Sequence, residues 1–273
     1  MVAIKVGIIG GTGLKDIELF IMEEEQQLST PFGDPSSPLT CGKMHGIDCV
    51  LLSRHGKKHN IMPSCVNFRA NIYALKMVGC THIIVTTACG SLREEIKPGH
   101  VVILDQFIDF TKSRKSTFYG GQPGDLPGVC HIPMQKPFNE EVRKILMESC
   151  KENNVHFHEK GTAITIEGPR FSTYAESQLF RQWGASIINM TTVPEVVLAN
   201  EIGIMYAALA LVTDYDCWKN DCEAVNVEDV MKTLTKNVRM AVNVISTAIK
   251  LIAKKDWDNE IEAAKKVSST AVM

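Results

Sequence analysis

The run from Ala207 to Trp218, A-A-L-A-L-V-T-D-Y-D-C-W, limits what this chain can fold into more than any other stretch. Small and aliphatic residues lead without a break into Thr213, Asp214, Tyr215 and Asp216. A short, continuous apolar run suits a strand buried on both faces, as in a parallel sheet covered by helices. If the chain stays extended past Val212, side chains two apart point the same way, and Asp214 and Asp216 share a face at the strand's carboxyl end. Ligands of open α/β sheets sit at that end. Two adjacent carboxylates repel unless a ligand or a proton offsets them. The competing reading is a pair of solvated aspartates in a loop, and spacing alone does not separate the two.

The rest of the chain repeats the pattern. Strands are predicted at Val2–Ile9, Asp48–Ser53, His82–Thr87, His100–Leu104, Thr162–Ile166 and Ser186–Asn189, besides the run at Ala207. Helical spacing is read at Ser64–Val78 with Ser64 as cap, Asn139–Cys150, Thr173–Trp183, Val196–Glu201 and Val227–Ala253. Thr30–Gly42 and Lys112–Gly128, punctuated by Gly and Pro, read as loops. Strand after strand ends in a polar cluster: Gly10–Gly13, Arg54–His55, Thr86–Ser91, Glu167–Ser172, Asn189–Thr192 and Thr213–Asp216. No repeat or low-complexity linker divides residues 1–273. One α/β domain with one composite site at the strand ends is the economical reading.

Charge and cysteine usage narrow the class. A formal net charge of −2 gives no electrostatic footprint for nucleic acid. The uncharged stretch Ile202–Thr213 is too short to span a bilayer, and the N-terminus enters a strand without a secretory leader. Nine cysteines, at 41, 49, 65, 80, 89, 130, 150, 217 and 222, form no C-x-x-C pair, so reduced thiols in a cytoplasmic protein, with the nucleus as a second location, are expected. His156 and His158 could ligate a metal as alternate strand residues, but the eight histidines lack the usual metal-site spacing and no metal is assigned.

The clusters lack the parts of several familiar catalysts. Gly10-Gly11-Thr12-Gly13 is neither the dinucleotide fingerprint nor a Walker A loop, although its amides suit an oxyanion. There is no G-x-S-x-G elbow, and Cys89 among small residues reads as packing rather than as a nucleophile. What remains is a cradle of hydroxyls, amides and one guanidinium, with carboxylates beside it. That division fits an anion attacking a cationic centre while a carboxyl group helps a leaving group depart.

Taken together, V-G-I-I-G-G-T-G, R-H-G, I-V-T-T-A-C-G-S-L-R-E, T-I-E-G-P-R-F-S, N-M-T-T-V-P-E and T-D-Y-D-C-W resemble the trimeric purine nucleoside phosphorylase family, in unbroken order from Val2 to Trp218. The resemblance implies a single α/β domain with a mixed central sheet flanked by helices. It also implies cleavage of a ribosyl–purine bond by inorganic phosphate as co-substrate, without cofactor or metal, in a homotrimer. Phosphate would lie among Thr12, Arg54, His55, Thr87, Ala88 and Thr191. Met190 would lie against the sugar, with Ala88, Phe171 and Ser172 also contacting the substrate. Asp214 would sit at the purine N7 and assist departure of the base, and Asp216 would accept from its exocyclic amino group. Family members selective for 6-oxopurines usually present Asn where Asp214 stands. A mismatched polar contact in a buried site costs about 1–3 kcal/mol, so the carboxylate favours adenine.

By the same likeness His131 reaches the 5′ end of a neighbouring subunit's substrate, and Val227 and Val230 line a pocket for a 5′-methylthio group; the competing reading puts the valines in the core. The expected reaction is phosphorolysis of S-methyl-5′-thioadenosine to adenine and 5-methylthioribose 1-phosphate, in purine and methionine salvage. Two departures from the family pattern are Tyr174, where Arg is usual, and a divergent tail at residues 258–273. The alternatives are a nucleoside phosphorylase of broader adenosine or 6-oxopurine taste, a nicotinamide-dependent dehydrogenase suggested by the glycine turn, and a non-catalytic nucleoside-binding protein.

Overall fold

The computed structural model describes residues 2–11, 20–219 and 227–273, with backbone alone at 227–229. Strand β1 (Lys5–Gly10) is followed by β2 (Ile21–Gln26), β3 (Leu39–Met44) and β4 (Ile47–Ser53). Helix α1 (Phe68–Met77) leads into β5 (His82–Ser91), β6 (Val101–Ile103) and β7 (Gln106–Phe110). Then come α2 (Glu140–Glu152), β8 (Phe157–His158), β9 (Thr162–Ile166), α3 (Tyr174–Gln182), β10 (Ile187–Asn189) and α4 (Thr192–Glu201). Strand β11 (Met205–Asp214), α5 (Val227–Ile252) and α6 (Asp258–Thr270) complete the chain.

These strands form one mixed eleven-stranded sheet organised around β5. Strand β5 runs parallel to β1 on one side and to β11 on the other, while its last residues, Gly90 and Ser91, pair antiparallel with Ile188 and Ile187 of β10. The sheet therefore forks at the carboxyl end of β5. The order β2-β3-β4-β1-β5-β10-β9-β7 follows one branch, and β11-β6-β8 the other.

Helices cover both faces of β11, as its unbroken apolar run predicts. Ala208, Ala210 and Val212 pack with Phe68, Ile72 and Leu75 of α1 and with Val196 and Leu198 of α4. Ala207, Leu209 and Leu211 pack with Val142 and Leu146 of α2 and Val244, Ile245 and Ile249 of α5. This alternation is the period-2 geometry of a strand buried on both sides.

Several local expectations are corrected. Pro63–Cys65 forms a separate 3-10 turn, and α1 begins after Asn67, whose side chain accepts from the Ala70 N–H and replaces Ser64 as the cap. Part of the expected loop at Thr30–Gly42 is strand, since β3 starts at Leu39. Strand β2 carries I-M-E-E-E-Q and is largely exposed, so no apolar pattern announces it. Beyond Trp257 the chain forms α6, which buries Ile261 and ties to α4 through Ser268, whose hydroxyl donates to the Glu201 carbonyl. No helix among the described residues is long and apolar enough to cross a membrane.

Candidate active site

The two carboxylates at the end of β11 meet, but not by strand alternation. The β5–β11 register shifts between Val212 and Asp214, and the strand ends there. Asp216 opens a single 3-10 turn, Asp216–Trp218, in the left-handed region at φ 52°. A residue with a Cβ occupies that region at a cost, so the surroundings must hold it. They do so through hydrogen bonds. The Asp216 N–H donates to Asp214 Oδ1 at 2.7 Å, and the Thr213 hydroxyl donates to Oδ2 at 2.7 Å. The buried Asp216 carboxylate accepts from the Ser177 hydroxyl of α3. Burial raises the Asp216 pKa, the Ser177 hydrogen bond opposes the rise, and the Asp214 charge adds to it.

Both carboxylates line a cavity of about 410 Å³. Of the residues singled out from the sequence, Arg54, His55, Thr87, Ala88, Phe171, Ser172, Met190, Thr191 and Val230 line it too. Thr12 lies outside the described residues, as does the side chain of Val227. His131 is not on the cavity wall; it is exposed, and its N–H donates to the carbonyl of Ala271.

The anion side differs from expectation at Arg54. Its guanidinium is fully buried, with Nε and Nη2 donating to the two oxygens of Glu195 at 2.7 and 2.9 Å and Nη1 donating to the Thr86 carbonyl. Burial works against the Arg54 cation, and the Glu195 carboxylate overcomes it. Tyr206 Oη also donates to Glu195 at 2.8 Å. Arg54 is thus a paired strut that keeps two N–H groups for a ligand, rather than a free clamp.

His55 differs as well. Its Nδ1 faces the Ile61 carbonyl at 2.9 Å, and a carbonyl can only accept. Burial, then the Arg54 charge, pushes His55 down to about 4. At neutral pH the ring is therefore uncharged and Nε2 is a bare lone pair, an acceptor for a hydroxyl rather than a donor to an anion. Hydroxyl donors to an anion are at hand in Thr87 and Thr191, whose oxygens lie 3.3 Å apart.

Sequence reasoning missed the supports. Glu195 and Tyr206 come from distant segments, and no local signal pairs them with Arg54. Arg114, in the stretch read as a loop, donates to the Met190 and Val193 carbonyls, each at 2.7 Å, and to the Glu167 carbonyl at 2.8 Å. It joins the ends of β9 and β10 and so positions Met190 and Thr191. Met231, Leu234 and Val238 join Val230 as an apolar wall from α5, a face the helical periodicity of that segment implies. Cys89 borders the cavity with a thiol that burial, then Asp214, raises well above the ordinary range, so it stays protonated.

Gly90 explains how the carboxylate fits. A Cβ at that position would stand 2.9 Å from Asp214 Oδ1 and 3.1 Å from Ile188 Cγ2. Only a glycine lets β5 pass this close to Asp214 without displacing it.

Comparison with known proteins agrees with this geometry. The sequence profile of the Phosphorylase superfamily matches residues 5–250. The S-methyl-5′-thioadenosine phosphorylase of Ciona intestinalis is 58% identical over 98% of this chain and 96% of its own length. That of Xenopus tropicalis is 57% identical over 99% of this chain and 97% of its own. The methylthioadenosine phosphorylase of Schistosoma mansoni, solved in complex with adenine, superposes with a TM-score of 0.96 at 45% identity over 99% of each chain. A mutant of the adenosine/methylthioadenosine phosphorylase from the same organism, solved in complex with methylthioadenosine, gives a TM-score of 0.95 at 45% identity, again over 99% of each chain. By matched length, identity and fold, the chain belongs to the S-methyl-5′-thioadenosine phosphorylase family within the Phosphorylase superfamily.

Proposed function

We propose that this chain is an enzyme that cleaves S-methyl-5′-thioadenosine with inorganic phosphate, giving adenine and 5-methylthioribose 1-phosphate. The observation that carries the reading is a single cavity that gathers hydroxyl and amide donors, two aspartates and an apolar wall. A phosphate oxygen attacks C1′, the C1′–N9 bond breaks, and its electron pair moves into the purine. Thr87, Thr191, the Ala88 amide and the two remaining N–H groups of Arg54 hold the phosphate. Neutral His55 accepts from a phosphate or ribose hydroxyl. Asp214 shares a proton with N7, which makes adenine a better leaving group. Asp216, with its raised pKa, adjoins the 6-amino edge.

Met190 supports the sugar with a soft thioether surface. Val230, Met231, Leu234 and Val238 favour a 5′-methylthio group, because a buried hydroxyl there would lack a partner. The reading includes a homotrimer in which His131 serves a neighbour's site. Supporting it are Tyr174, Leu179 and Trp183, large apolar side chains left exposed on or just after α3, together with exposed Phe171 at the cavity. The eight described cysteines are free, which supports a reducing compartment, cytoplasm or nucleus.

The test is phosphorus NMR of the purified chain with S-methyl-5′-thioadenosine and phosphate. A pentose 1-phosphate signal appearing in step with adenine supports the reading. Adenine without a phosphate ester points to hydrolysis, and no reaction points to a binding protein.

A further inference from the structure

Outside the cavity, three imidazoles converge at the β6–β8 edge. His100 immediately precedes β6, His156 immediately precedes β8, and His158 closes β8. The two strands run parallel, with Val102 opposite His158, and the Val101 N–H donates to the His156 carbonyl at 3.0 Å. His156 and His158, two apart, thus share a face, and the turn before β6 brings His100 to them. One ring nitrogen from each of the three lies within 4.8 Å of the others. His100 Nδ1 and His158 Nε2 are 3.0 Å apart, and the His100 and His156 rings stack at 3.9 Å between centroids.

His100 Nδ1 accepts from the Lys97 N–H at 3.2 Å, and a bound ion would replace that hydrogen bond. Neutral imidazole is the form that binds metal. We propose that His100, His156 and His158 form a binding site for a divalent transition-metal ion of the imidazole-preferring class, with Zn²⁺ as the probe.

Tetrahedral Zn²⁺ with Zn–N bonds near 2.0–2.1 Å sets its nitrogen ligands about 3.3 Å apart. The His100–His158 pair already meets that spacing, and exposed His156 needs only a side-chain rotation to close the set. Water completes the fourth position. None of the three histidines lines the cavity, so the ion takes no part in the reaction proposed above. Its effect is mechanical. The His100 carbonyl accepts from the Val212 N–H at 3.1 Å and the Gly99 N–H donates to the Val212 carbonyl at 2.9 Å, so a bound ion clamps β8 to β6 and, through them, to β11.

The test is equilibrium dialysis of the chelator-treated full chain against ZnCl₂, with His156→Ala and His158→Gln as variants. Thermal unfolding and the visible spectrum of the Co²⁺-loaded chain are followed alongside. The expected result is one Zn²⁺ per chain, weakened at least about tenfold in His156→Ala. Zn²⁺ should raise the unfolding midpoint of the wild type but not of either variant, and Co²⁺ should show ligand-field bands without thiolate charge transfer. Zn²⁺ binding that both variants retain, or a thiolate band abolished by alkylation, would assign the ion to cysteine and overturn the proposal. His156 is exposed, so its substitution leaves folding intact.

Discussion

Asp214 spends both carboxylate oxygens on Asp216 and Thr213 before any substrate arrives, so its position is fixed in advance. Asp214→Ala should lower kcat by about 10²–10⁴, the usual worth of positioned proton transfer. Phosphate affinity, measured by calorimetry, should survive because its donors lie elsewhere on the wall; unchanged kcat would remove Asp214 from the reaction. Arg54 carries a different kind of claim. Glu195→Ala leaves its guanidinium buried and unpaired, which should cost about 3–5 kcal/mol in urea unfolding. A loss below about 1 kcal/mol would mean that the pair is not what holds Arg54. Residues at this scale were half legible. Arg54, Thr87, Asp214 and Asp216 stand at strand ends, where the chain advertises polar atoms after an apolar run. Glu195, Tyr206 and Arg114 act across the fold, and their segments give no hint of their partners.

Strand β11 was legible because burial on both faces leaves its central run, Ala207–Val212, wholly apolar, whereas β2, half of it glutamate, reads like a loop. Strands β7 and β8 are short or half-buried and fall below the same threshold. The end of β11 was misread for a related reason. Period-2 alternation assumes regular pairing, and the register shift at Thr213 breaks it, so a turn rather than a strand brings Asp216 beside Asp214. Strand β5 supplies the test at this scale. Gly90→Ala should push the Asp214 carboxylate aside, reducing kcat at least about tenfold while moving the unfolding midpoint by no more than a few degrees. Wild-type kcat in Gly90→Ala would show that the close approach of β5 places no limit on Asp214.

For the whole molecule, an α/β domain followed from the alternation of apolar runs with helical spacing and the mixed sheet from the family resemblance, while the fork at β5 did not, since strand order is set by contacts between distant segments. Three histidines give the folded chain a pH signature. Burial lowers His55 to about 4, His82 to about 3 and His100 to about 4, all below the ordinary value of 6.5. A depressed pKa means that the unfolded chain binds protons first. Their stabilising contribution is therefore complete above about pH 6.5 and is lost as pH falls towards 4. Urea midpoints should decline across that window, and the decline should be shallower in His82→Gln; equal slopes would exclude His82 as a contributor.

The measurement that bears most directly on the central claim is base release from S-methyl-5′-thioadenosine, adenosine and inosine, each with and without phosphate, on one preparation. The account predicts phosphate-dependent release of adenine, with the highest kcat/KM for the methylthio nucleoside and the lowest for inosine. Inosine as the best substrate, or release at equal rates without phosphate, would contradict it.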